Sequence, residues 1–125
     1  MNQKGFKNLK VWKEGKDLAI EIYKITNTGK FLRDRSLTEH LRRTAVSIPS
    51  NIAEGDERGS NRDSARFLYI AKGSLAELRT QLEISTEIGY IDKLDFEKID
   101  KECMDLGIKL GKLIKVRLSS PTPNP

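Results

Sequence analysis

His40, Cys103, Glu54 and Glu77 are the side chains whose types could carry acid–base, nucleophilic or metal chemistry in this chain. Their numbers and spacing argue against each. A single histidine excludes a His-rich metal site and a Ser-His-Asp triad with a second supporting histidine, and a single cysteine excludes a zinc knuckle. His40 stands beside Arg42 and Arg43 near a helix start and reads as a surface residue rather than a base. Cys103 cannot form an internal disulfide and falls on an apolar helical stripe, so it reads as a small buried hydrophobe. Gly55-Asp56-Glu57-Arg58-Gly59-Ser60 has the glycines of a phosphate loop, but it lacks the lysine and places acids where phosphate would sit. Glu54 and Glu77 would make a carboxylate pair only if unpartnered, and each has an arginine, Arg66 and Arg43, at its own height in the helical hairpin described below. The sequence therefore predicts no catalytic residue, no metal site and no cofactor.

What remains is charge, and charge needs elements to position it. The 125 residues carry 23 Lys and Arg against 18 Asp and Glu, a net charge of +5 that favours acidic partners. No apolar run approaches the roughly 20 residues that span a bilayer, and the first residues lack the apolar segment of a signal peptide. The expected location is the cytoplasm, with no membrane partner.

Apolar residues recur at helical spacing in four segments. The first, about Asn8 to Asn27, carries Val11, Trp12, Gly15, Leu18, Ala19, Ile22 and Tyr23 on one face and stops at Asn27-Thr28-Gly29. Phe31 and Leu32 are expected to pack the connection against the core. The second begins near Ser36, with Glu39 completing a capping box, and its core face is Leu37, Leu41, Ala45, Ile48 and Ile52. The third, about Arg62 to Ile88, is capped at Ser60-Asn61 and buries Ala65, Leu68, Ala71, Leu75, Leu78, Leu82 and Ser85. The fourth opens at Asp92 or Leu94-Asp95 and aligns Phe96, Ile99, Cys103, Leu106, Leu110 and Leu113. No segment has a strand's alternation. The pattern predicts an all-α, antiparallel up-down-up-down four-helix bundle over residues 1–118 and a disordered tail over 119–125.

Pro49 inside the second helix removes a backbone hydrogen bond and predicts a kink or a restart, with Ser47 and Gly55 as start and stop signals. If the following turn centres near Ser60, Ser47 comes level with Gly73, Asn51 with Tyr69, Glu54 with Arg66 and Arg43 with Glu77. Gly73 would then admit a close backbone approach, and Arg43–Glu77 would be either a structural ion pair or two solvated charges. Asn51 and Glu54 read as ties to the backbone around Pro49 and Gly55. Gly107 and Gly111 either admit a neighbouring subunit's helix or fit the first helix against the fourth.

Phe6, Leu9 and Trp12, then Leu41-Arg42-Arg43, Ser47-Ile48-Pro49-Ser50-Asn51-Ile52-Ala53-Glu54-Gly55 and Gly73-Ser74-Leu75-Ala76-Glu77-Leu78, resemble the small four-helix-bundle proteins associated with intervening sequences in bacterial 23S ribosomal RNA genes. The similarity runs from about Phe6 to Leu113. Where that family usually has a Phe-Pro pair after the first helix, this chain has Phe31-Leu32-Arg33. The resemblance implies a homopentamer. Through related accessory proteins of diversity-generating retroelements, it also implies partners among nucleic acids and reverse transcriptases.

In an up-down bundle, one end gathers Lys4, Lys7, Lys10, Lys13, Lys16, Arg58, Arg62, Arg66, Lys109, Lys112, Lys115 and Arg117. Only seven acids, Glu14, Asp17, Glu54, Asp56, Glu57, Asp63 and Asp105, share that end. At the other end nine bases meet nine acids. Lys7, Lys10, Arg62, Arg66, Lys112 and Lys115 are therefore the candidate contacts to an RNA or DNA backbone, read without base sequence. The alternative is a protein-binding adaptor or scaffold, for a polymerase or reverse transcriptase, with no direct nucleic-acid role.

Overall fold

The computed structural model describes residues 5–119. Helices α1 (Lys10–Thr26), α2 (Arg35–Asp56), α3 (Asn61–Glu87) and α4 (Lys93–Ser119) are preceded, for α1 and α2, by 3₁₀ turns at Gly5–Asn8 and Gly29–Arg33. No strand occurs among the described residues. The tail expected over 119–125 lies outside them except for Ser119, which is the last residue of α4.

Contacts between neighbours run in opposite directions along the two helices. In the α1–α2 pair Thr26 meets Arg42 and Gly15 meets Ile48 and Ile52; in α2–α3 Ser47 meets Ser74 and Gly55 meets Ser64. In α3–α4 Arg79 meets Asp100 while Ser64 meets Arg117, and in α4–α1 Lys98 meets Glu21 while Lys109 meets Glu14. An up-down-up-down bundle requires this ladder. The predicted stripes fill its centre: Ile22, Leu41, Ile48, Ile52, Leu78, Leu82 and Leu110 are fully buried, and all seven expected positions of α3 face inward.

Local chemistry departs from expectation at several helix ends. Asp34, not Ser36, caps α2: its Oδ1 accepts from the Leu37 amide at 3.1 Å, and Glu39 bonds Arg35 rather than closing a capping box. The Tyr90 hydroxyl donates to Asp34 Oδ2 at 2.9 Å, tying the α3–α4 turn to the α1–α2 connection. Phe31 packs its ring on the edge of Tyr90 and is buried, but Leu32 is 65% exposed. Tyr23 also leaves the predicted core face, and Arg42 lies over its ring at 4.6 Å. The guanidinium takes that position because its Nε donates to the buried Thr26 hydroxyl at 2.9 Å.

Helix α2 does not restart at Pro49, which is buried inside one unbroken helix. The side chain missing at Gly15 lets α1 lie directly on this turn, with the Pro49 nitrogen 3.5 Å from where a Cβ would be. Ser47 Oγ donates to the Thr44 carbonyl at 2.6 Å and Asn51 Nδ2 to the Ser47 carbonyl at 2.7 Å, bracing the turn on both sides. Asn51 is thus the backbone tie expected of it. Glu54 is not, because it pairs with Arg58 at 2.8 Å.

The close approach expected at Gly73 occurs at Gly55 instead. Ser47 meets Ser74, their hydroxyls 2.8 Å apart, rather than the expected Gly73, because Gly73 lies two residues from both Ala71 and Leu75, about 200° around α3 from the buried stripe. Gly73 consequently faces solvent with open space where a Cβ would be. Gly55, expected as a stop signal, is the penultimate residue of α2 and is buried there, where a Cβ would lie 3.0 Å from the Ser64 carbonyl and 3.2 Å from Phe67 Cβ. The two glycines should respond to alanine with opposite sign. Gly73→Ala stabilises by about 0.5 to 1 kcal/mol through lost unfolded-chain freedom, whereas Gly55→Ala destabilises by about 1 to 3 kcal/mol through overpacking. Urea midpoints of the two variants, on opposite sides of the parent, check this.

Candidate nucleic-acid interface

Geometry reduces the chemistry on offer before it adds any. Cys103 is buried, and its thiol is pushed up to about 12 by burial, with the nearby Asp100 adding to the effect, so it is a packed hydrophobe and not a nucleophile. His40 is exposed. The α1–α4 seam holds a hollow of about 260 Å³ lined by Glu14, Asp17, Glu21, Glu102 and Asp105. Lysines pair with its acids: Lys109, itself part of the lining, bonds Glu14, and Lys98 bridges Glu21 and Glu102. The Glu102 carboxyl is held above its usual range by its hydrogen bond to Glu21 and by burial. No group of three metal-ligating side chains occurs among the described residues.

At the end bearing the α1 start, the α2 end, the α3 start and the α4 end, ion pairing is selective. Glu14 takes Lys109, Asp17 takes Lys16, Glu54 takes Arg58, Asp56 takes Arg117 and Asp63 takes Arg66. Asp105 takes Lys101, from further along α4. The predicted Glu54–Arg66 pair is therefore absent. Arg66 instead sits 3.7 Å from Asp63, and it shares the Phe67 ring with Arg58, their guanidinium carbons 4.6 and 4.4 Å from its centroid. Of the two readings of Arg43 and Glu77, the solvated one holds: both are exposed and form no ion pair with a described residue.

Five of the six candidate contacts, Lys7, Lys10, Arg62, Lys112 and Lys115, are exposed and make no ion pair with a described residue. They do not form one flat patch. Lys10 lies one turn before Glu14, on the α1 side of α4, whereas Lys112 and Lys115 line a groove between α4 and α3. Arg62 stands at the tip, in the first turn of α3. The cations thus wrap around the end of the bundle.

The α3–α4 groove brings in two residues outside the candidate set, Tyr69 and Lys72. Their sequence signal is a second stripe beside the buried one: Tyr69, Lys72 and Ala76 on α3, and Met104, Ile108, Gly111 and Leu118 on α4. Gly111 lines this groove and Gly107 the seam beyond it, facing Lys72 and Leu75 of α3 rather than α1.

The comparisons with known proteins agree with this architecture. A profile of the 23S rRNA-intervening sequence protein family matches residues 7–112. The fold is similar to that of a solved protein of unknown function from the S23 ribosomal protein family of Bacteroides thetaiotaomicron, with a TM-score of 0.76 and 25% identity, covering 84% of this chain and 98% of that one. No curated protein sequence matches the chain. With four helices in the predicted order and the profile spanning most of them, the chain belongs to the 23S rRNA-intervening sequence protein family.

Proposed function

We propose that this is a non-catalytic protein of the cytoplasm that binds RNA or DNA backbone through its basic end and works as a homopentamer. The observation that carries the binding is the selective ion pairing. Six of the seven acids at that end are taken by Lys16, Arg58, Arg66, Lys101, Lys109 and Arg117, so Lys7, Lys10, Arg62, Lys112 and Lys115 keep their full charge for phosphate. Family membership supports an RNA-related setting, and resemblance to the family supports the pentamer. In a ring of parallel subunits the basic ends would sum into one positive rim.

Binding of this kind releases counterions, so it has a salt signature. Filter binding with a structured RNA across a salt series should give a log–log slope of about −0.9 for each phosphate contacted in a duplex, or roughly −4 to −5 for five cations. Affinity should change little when the base sequence is scrambled. A flat salt dependence would defeat the reading. Light scattering at micromolar concentration reads the copy number in the same samples, and a monomer mass would defeat the pentamer.

The adaptor reading keeps one specific support. Ile70 and Ile84 of α3 and Ile88 just past its end are 43 to 49% exposed and outside the basic groove, and exposed apolar side chains that share one face mark protein contacts. A reverse transcriptase or polymerase retained by this surface, with no salt-dependent RNA binding, would favour it.

A further inference from the structure

The groove between α3 and α4 combines positive charge, apolar surface and an unengaged aromatic ring. Its volume is about 590 Å³, and its lining includes Lys72, Lys112 and Lys115 but no carboxylate. None of the three lysines forms an ion pair with a described residue. Between them lie apolar side chains that water solvates poorly, Ile108 at 56% and Leu118 at 52% exposure. A groove of this composition suits an anion that also carries an apolar part.

Tyr69 identifies that part. The ring of Tyr23 is covered by Arg42, and Tyr90 is engaged through both its ring and its hydroxyl. Tyr69 is 56% exposed and has neither a ring contact nor a hydroxyl partner among the described residues. A flat π-face beside three free ammonium groups is the arrangement with which proteins hold single strands: bases stack on the ring and the backbone follows the cations. In a duplex the bases are stacked on one another and have no face to offer. The seam continues past Lys72 and Ile108 into a second hollow of about 320 Å³ that reaches Met104 and Arg79, whose guanidinium is already held by Asp100. From Met104 to Leu118 the helical rise gives this surface a length of about 21 Å.

We propose that the α3–α4 groove is a subsite for single-stranded nucleic acid, in which a base stacks on Tyr69 and the flanking phosphates meet Lys72, Lys112 and Lys115. The proposal rests on the backbone-binding reading above and adds to it the class of ligand, a strand with unpaired bases.

Fluorescence anisotropy tests it with three labelled probes of equal length: a mixed-sequence single strand, the corresponding duplex, and an abasic strand with the same phosphates. The parent protein should bind the intact single strand more tightly than the other two. Tyr69→Ala should weaken single-strand binding by about 5- to 150-fold, the range for losing one stacked base, and leave duplex binding unchanged. Tyr69→Phe, which keeps the ring, should behave as the parent. If the parent binds intact and abasic strands alike, the groove proposal is overturned while backbone binding at the basic end stands; this arm needs no variant to fold. If no probe binds, both readings fall together. Should Tyr69→Ala change the mass by light scattering and leave single-strand affinity unchanged, a second copy of the chain covers the groove and the proposal is equally overturned.

Discussion

Replacing Ile52 with alanine lowers the unfolding free energy by about 2 to 5 kcal/mol, the range for removing a buried branched side chain and leaving a cavity. Ile52 is fully buried, and its Cδ1 lies 3.5 Å from the Cβ position of Gly15, where α1 crosses α2 without an intervening side chain. The neighbouring turn contains Pro49 and has one backbone hydrogen bond fewer to give. Packing therefore holds this part of α2, and the site has little freedom to collapse around a void. At a urea m-value of about 1 to 3 kcal/mol/M, a loss near 3 kcal/mol moves the midpoint by on the order of 1 to 3 M. Lys24→Ala, on an exposed position of α1, should stay within about 0.5 kcal/mol. Chemical denaturation of both, at one protein concentration because association would shift apparent stability, checks the pair. Coincident midpoints would place Ile52 outside the core.

Helical period and burial were legible in the sequence to different degrees. Along α3 every predicted inward position is buried, because seven apolar or small residues at spacings of three and four leave a single way to cover them. Register was less legible. Height in the hairpin does not say which side chains face the seam: Gly73 is level with the contact but lies off the buried stripe through Ala71 and Leu75, so Ser47 meets Ser74 and the close approach falls at Gly55. Caps were legible at two of three starts: Ser60 caps α3 and Asp92 caps α4, but at α2 Asp34 prevailed over Ser36 because its second oxygen also receives the Tyr90 hydroxyl, 56 residues away.

The candidate site follows the same division. Exposure of Lys7, Lys10, Arg62, Lys112 and Lys115 followed from their place opposite the apolar stripes. Which acids neutralise which bases did not follow, since Lys109–Glu14 and Arg117–Asp56 join residues far apart in the chain. Tyr69 and Lys72 read as part of the polar side of α3 until α4 is laid beside them.

Changing Lys10, Arg62 and Lys112 together to glutamate should abolish RNA binding while leaving the bundle folded. Each is exposed, and none forms an ion pair with a described residue, so their replacement breaks no ion pair of the described fold. Each reversal removes two units of charge, taking the formal net charge from +5 to about −1 and turning three phosphate contacts into repulsions. Any residual binding should have lost about 0.9 from its salt slope for every duplex phosphate no longer contacted. The control must come from the opposite end, and it must not disturb packing. Arg42 is unsuitable there, because it is half-buried, bonds Thr26 and covers Tyr23. Arg33 and Arg43 are exposed at that end and make no ion pair with a described residue. Charge reversal of Arg33 and Arg43 removes four units of charge, against six in the triple change, without touching the basic end, so it sets placement against a comparable fall in total charge. Circular dichroism confirms the fold of both variants, and filter binding at one salt concentration compares them. Equal loss of RNA binding in the two would mean that net charge, not its location, drives the interaction, and the basic end would no longer be a site.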